Sequence, residues 1–95
     1  TALMKNLALK PYLVRDGITF NSVAPGCIMI PGTGWAEEQI KNQEAFKKMV
    51  EEKLPLGRMG RPEEVANVVA FVCSESASLL NGASISVDGG ESKRF

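Results

Sequence analysis

Few residues in this chain have side chains equipped for chemistry, and their spacing limits what they can do. Histidine is absent, which removes histidine-based triads and ordinary histidine-ligated zinc sites. The two cysteines, Cys27 and Cys73, both sit in apolar runs and make no disulfide framework. They are therefore expected as buried thiols in a reducing, cytoplasmic compartment. Asp88-Gly89-Gly90 offers one carboxylate among glycines, a poor cation site, and reads as a turn; no metal ligands are assigned. Gly32-Thr33-Gly34 lacks both the third glycine and the preceding strand of a dinucleotide fingerprint. Arg58 and Arg61 could hold a phosphate, and Trp35 could close over a small molecule or simply pack.

The balance of charge excludes some partners. Lys plus Arg is 11 and Asp plus Glu is 11 in 95 residues, so no basic excess exists to hold nucleic acid or an anionic membrane. The hydrophobic share of 44% suits a packed core, and no apolar run approaches the roughly 18 residues of a membrane span.

The elements that must position these residues alternate in type. Leu3, Met4, Leu7 and Ala8 share a helical face within residues 1–10, and Pro11 ends or kinks that helix. Arg15-Asp16-Gly17 reads as a turn. Ile18 to Val23 is β-branched and aromatic, a strand that Ala24-Pro25-Gly26 stops. A loop from Cys27 to Gly34 leads to one amphipathic helix over residues 36–53, with Ala36, Ile40, Phe46, Met49 and Val50 at helical spacing. Pro62 fits a first helical position, with Glu63 and Glu64 complementing the positive end. The helix over 62–74 carries an apolar stripe from Val65 to Cys73 too wide for a surface helix. Asn81-Gly82 is a turn, 83–87 a short strand, and Asp88-Gly89-Gly90 another turn. Two short apolar strands need more strands and helices than these residues supply. The expectation is the C-terminal part of a larger parallel α/β protein. A complete small domain stabilised by oligomerisation is the alternative.

Three ordered segments sharpen that expectation. They are Asn21-Ser22-Val23-Ala24-Pro25-Gly26, Leu56-Gly57-Arg58-Met59-Gly60-Arg61-Pro62-Glu63-Glu64-Val65-Ala66, and Asn81-Gly82-Ala83-Ser84-Ile85-Ser86-Val87-Asp88-Gly89-Gly90. Together they closely resemble the C-terminal portion of the short-chain dehydrogenase/reductases. The resemblance covers essentially the whole chain and is weakest over residues 31–53.

The resemblance implies a Rossmann-type, doubly wound parallel sheet in an oxidoreductase using NAD or NADP on a small alcohol or carbonyl substrate. Residues 1–95 would be a C-terminal piece of that single domain. Pro25 and Gly26 would line the nicotinamide side of the cleft. Ile28 would present its backbone N–H and C=O to the carboxamide. Residues 31–53 would form the substrate-binding loop and helix. Arg58 and Arg61 become part of a structural loop. The family's assemblies imply a homodimer or homotetramer, with the Val65–Cys73 stripe and Phe95 near an interface.

Two departures stand out. Ile30 occupies a position where the family often has a cofactor-binding threonine, and Lys10-Pro11 interrupts a helix that family members tend to continue. The family's Ser, Tyr and Lys are not matched here, so no catalytic residue is assigned. Tyr12 has Asp16 four residues on instead of lysine and lies past Pro11, so it is not the catalytic acid. The glycine-rich pyrophosphate turn has no counterpart either. The competing function is a truncated, non-enzymatic relative acting as an oligomerisation or interaction module.

Overall fold

In the computed structural model, residues 2–32 and 34–92 are described. Helix α1 (Ala2–Ala8) stops where Lys10 turns extended (φ −83°, ψ 108°), the conformation that a following proline favours. Pro11 ends one helix and starts another. It occupies the first position of the four-residue α2 (Pro11–Val14), where its missing N–H is harmless.

Strand β1 is Ser22–Pro25, later than the 18–23 expected from β propensity. Two asparagines account for the shift. Asn81 Oδ1 accepts from the Phe20 N–H at 3.0 Å, while Asn21 bonds the Leu80 carbonyl and the Ala83 N–H, each at 3.0 Å. Side-chain amides thus take backbone groups that a ladder would otherwise use, and strand pairing begins only at Ser22. Pro25 then fits inside the strand. Ser22 and Gly26 donate to Ala83 and Val87 of the neighbouring chain segment, so by the two-residue period position 25 faces away from its partner.

β1 pairs in parallel with β2 (Ser84–Val87), in the register Ser22 to Ser84 through Pro25 to Val87. A parallel pair needs a long crossover. Here it contains α3 (Gly34–Lys41), α4 (Gln43–Lys53), α5 (Pro62–Val72) and a 3-10 turn at Glu75–Ala77. The single helix expected over 36–53 is two. Asn42 leaves the helical region (φ −133°, ψ 65°) while its side chain donates to Glu38 Oε1 at 2.9 Å, the local competition with the helix that asparagine favours.

Phe46, Val50 and Leu54 recur at four-residue spacing and, with Met59, form a buried cluster against Cys27, Met29 and Met49. The crossover is thereby docked onto the loop leaving β1. The broad stripe of α5 is left open: none of its residues is buried, and Phe71 is 53% exposed. Leu79, just beyond, is 98% exposed. The radius of gyration is 16.8 Å, against about 12 Å for a compact domain of this length. The accessible surface of 7172 Å² likewise exceeds the roughly 5,300 Å² of a compact monomer of this mass. The apolar faces therefore have room for cover, as the breadth of the stripe anticipates.

The cysteines differ from expectation. Cys73 caps α5 and is exposed, because an apolar neighbourhood in sequence does not place a helix end inside a core. Cys27 is half-buried and hydrogen-bonded to a carboxylate. Among the described residues no helix is long and apolar enough to cross a membrane. Phe95, expected near an interface, and Thr33 lie outside the described residues.

Candidate functional site

The C-terminal ends of the two parallel strands meet at Gly26 and Asp88. Where β2 ends, the Asp88 carboxylate accepts from the Gly90 and Ser92 N–H groups, both at 3.0 Å, and its carbonyl accepts from the Glu91 N–H at 3.2 Å. Gly89 and Gly90 both have positive φ, which lets the chain reverse within this span. The reversal carries Glu91 back over the end of β1. There its carboxylate accepts the Cys27 N–H on Oε2 and the Cys27 thiol on Oε1, each at 3.0 Å. The hydrogen bond to Glu91, together with burial and the nearby negative charge, pushes the Cys27 thiol up to about 11. The thiol stays protonated at neutral pH.

Gly26 is pressed into this arrangement. A Cβ there would run into the Glu91 carboxylate and stand 2.7 Å from Asp88 Cβ and 3.0 Å from Asp88 Cα. The physical reason for glycine at this position is thus contact with the turn after β2.

Beyond Cys27 the chain runs alongside the loop before α5. Gly60 donates to the Cys27 carbonyl and accepts from the Met29 N–H, each at 2.9 Å, in a parallel bridge that pairs Ile28 with Gly60. In a parallel bridge the paired residue's own N–H and C=O point to the opposite side. Neither group of Ile28 has a partner among the described residues. Gly60 is itself held by its loop. Arg58 grips Glu64 with two bonds (2.8 and 3.0 Å), and Glu64 accepts the Arg61 N–H at 2.9 Å. Arg58 chiefly, then the Arg61 backbone, hold the Glu64 carboxyl down to about 2. Both arginines are thus tied to Glu64 at the start of α5, as their reading as a structural loop requires.

The three residues singled out in sequence do not share one cavity. Pro25 and Gly26 line an open groove of about 440 Å³ with Ala24 and Ser86. Ile28 lines a smaller cavity of about 120 Å³ with Leu56, Gly60 and Val65. Asp88 and Glu91 lie between and line both. Sequence reasoning missed Glu91, because a single carboxylate in a tail carries no signal of the fold that returns it to Cys27. A third groove of about 500 Å³ runs beside α3 and α4, lined by Ile40, Phe46, Lys47 and Val50. Trp35, at the start of α3, is 39% exposed. Tyr12 is 67% exposed in α2, away from these grooves.

A parallel pair joined by a helical crossover, with loops gathered at the C-terminal strand ends, defines a Rossmann-type α/β unit. A family model described as enoyl-(acyl carrier protein) reductase matches residues 1–92. The chain belongs to this family and, as its three ordered motifs implied, to the short-chain dehydrogenase/reductases. It is similar to a tropinone reductase homolog of Arabidopsis thaliana, 46% identical over 88 residues, covering 93% of this chain and 30% of the relative. It is also similar to the 3-oxoacyl-[acyl-carrier-protein] reductase of Aquifex aeolicus, 46% identical over 89 residues, covering 94% and 31%. The crystal structure of L-sorbose reductase from Gluconobacter frateurii, complexed with NADPH and L-sorbose, superposes with a TM-score of 0.79 at 31% identity. That match covers 99% of this chain and 37% of that one. The chain spans about a third of the length of these relatives.

Proposed function

We propose that this chain is part of an NAD(P)-dependent oxidoreductase acting on a small alcohol or carbonyl compound. Pro25, Gly26 and Ile28 form the nicotinamide-side wall, and residues 31–53 form the substrate lid. The observation that carries this reading is the turned-out Ile28 backbone. One N–H and one C=O, side by side and without protein partners among the described residues, match the acceptor and donor of a carboxamide. They sit beyond the carboxyl ends of parallel strands, where ligands of open α/β sheets bind. A nicotinamide cofactor supplies hydride chemistry there. The chain's own part is to hold the ring by its amide, with Pro25 stiffening the approach and the Gly60 bridge fixing the register. The groove beside α3 and α4 gives the lid a mixed surface, with Ile40, Phe46 and Val50 beside Gln39, Gln43, Lys47 and Glu51.

The relatives' reductase names and the NADPH in the sorbose reductase structure support the cofactor class. Two unpaired cysteines agree with a reducing, cytoplasmic setting, and the open α5 face agrees with a homodimer or homotetramer. That same exposed surface also favours a second reading, an interaction module without activity.

The test compares NADPH with its 3-acetylpyridine analogue, in which a methyl replaces the amide nitrogen. One lost hydrogen bond to the Ile28 carbonyl predicts about tenfold weaker binding of the analogue. Equal affinity for the two rejects the assignment of Ile28, and absence of any NAD(P)H binding by the intact protein favours the interaction module.

A further inference from the structure

We propose that Glu91 is the positioning residue of the Ile28 segment, its carboxylate setting the direction in which the Ile28 backbone faces the cofactor. The proposal rests on the reading of Ile28 given above. Geometry carries it. A backbone N–H, a thiol and a carboxylate close a clasp between positions 64 residues apart, at 3.0 Å on both oxygens. Both ends of the clasp are fixed. The Asp88 carboxylate pins the turn that aims Glu91, and the Gly60 bridge pins Cys27 and Met29 on the far side. Ile28 is the next residue after the clasped one. Gly60 holds the carbonyl of the Cys27–Ile28 peptide, while Glu91 holds the N–H of the preceding peptide and the Cys27 side chain. Cys27 is thus fixed on both sides of its Cα, and the Ile28 peptide leaves from a fixed residue. Gly26 without a side chain leaves the space the carboxylate occupies.

The charges facing Cys27 in the small cavity are Arg58, Glu64, Asp88 and Glu91. Arg58 and Glu64 satisfy each other, and Asp88 is spent on two backbone N–H groups. Glu91 is the carboxylate committed to the loop. Cys27 takes no chemical part; its thiol reports whether the clasp is closed.

The test uses the intact enzyme, with NADPH and the 3-acetylpyridine analogue as probes. The wild-type enzyme should prefer NADPH by about tenfold, and Glu91→Ala should abolish that preference by weakening NADPH to the level of the analogue. Glu91→Gln keeps an acceptor for the Cys27 N–H and should restore most of the preference. A general structural role would weaken both cofactors alike and leave their ratio intact. If wild type discriminates and Glu91→Ala discriminates equally, Glu91 does not position the segment, and the assignment of Ile28 stands. If wild type itself fails to discriminate, the Ile28 assignment falls and the positioning role with it. Should Glu91→Ala not fold, Cys73→Ser protein decides instead. Alkylation of its remaining Cys27 should titrate with a midpoint near 11, and a midpoint near the ordinary 9.0 overturns the clasp.

Discussion

Adding one methyl group separates a rigid contact from a soft one at this site. Gly26→Ala and Gly60→Ala both introduce a Cβ closer than real side chains tolerate, and neither glycine has the positive φ that penalises alanine. Each substitution should therefore gain about 0.4–1 kcal/mol by restricting the unfolded chain. They differ in what the methyl meets. At Gly60 the neighbour is Ile28 Cδ1 at 2.8 Å, the far end of a flexible side chain that can change rotamer for about 1 kcal/mol. At Gly26 the neighbours are Asp88 Cβ and backbone, held by two hydrogen bonds, and the Glu91 carboxylate. Overpacking against a fixed wall costs about 1–3 kcal/mol, and a displaced Glu91 also forfeits two hydrogen bonds, each worth about 1 kcal/mol. After the unfolded-state gain, Gly60→Ala should be within about 1 kcal/mol of wild type and Gly26→Ala destabilised by about 2–4 kcal/mol. Urea unfolding of the intact protein measures both, and alkylation of Cys27 should speed up only in Gly26→Ala. Equal stability of the two variants, or an unchanged Cys27 in Gly26→Ala, would refute the rigid-wall reasoning.

Asn81→Ala removes the acceptor of the Phe20 N–H and the donor to the Ala8 carbonyl, so it should cost about 2 kcal/mol. Loss of hydrogen-exchange protection at the Phe20 amide is the local signature. Cys27 lies higher folded than its ordinary 9.0, so the clasp's contribution is complete below pH 9 and is lost as pH rises toward 11. Urea midpoints across that window should fall more in wild type than in Cys27→Ser. Glu64 lies lower folded than its ordinary 4.5, so its contribution is present above pH 4.5 and is lost as pH falls toward 2. In Arg58→Ala, the Glu64 carboxyl observed by NMR should rise from about 2 toward 4.5, with the Arg61 N–H still holding it below; a value still near 2 means that Arg58 is not the main cause. The isolated chain, with the α5 stripe and Leu79 open, should bind a dye specific for apolar surface. A sharp cooperative melt without dye binding contradicts the need for cover.

The chain made some of this legible and hid the rest, for identifiable reasons. Pro62 with Glu63 and Glu64 announced α5 because an N-terminal proline and acidic first turn act within four residues. Phe46, Met49 and Val50 announced the buried side of α4 for the same local reason. The β1 boundary was illegible because Asn21 and Asn81, 60 positions apart, intercept the backbone before Ser22. Cys73 misled because a helix can carry a broad apolar stripe without having a cover over all of it. The role proposed for Ile28 comes only from the resemblance. Its apolar side chain carries no hint of a backbone role, and the bridge that turns that backbone outward depends on Gly60 in another loop.

Glu91 shows why such a site resists reading from types and spacing alone. Its neighbours in sequence are glycine and serine, and of its two partners at Cys27 one is a backbone N–H that every residue but proline would supply. What selects the pairing is the parallel register. Pro25 opposite Val87 brings both strands to an end at one level, so that a turn as tight as Asp88 to Gly90 can only return its next residue over Gly26. A one-residue slip between β1 and β2 would reverse which faces their side chains occupy and move Glu91 off Cys27. The register of two four-residue strands is therefore as much a part of the site as the residues that line it.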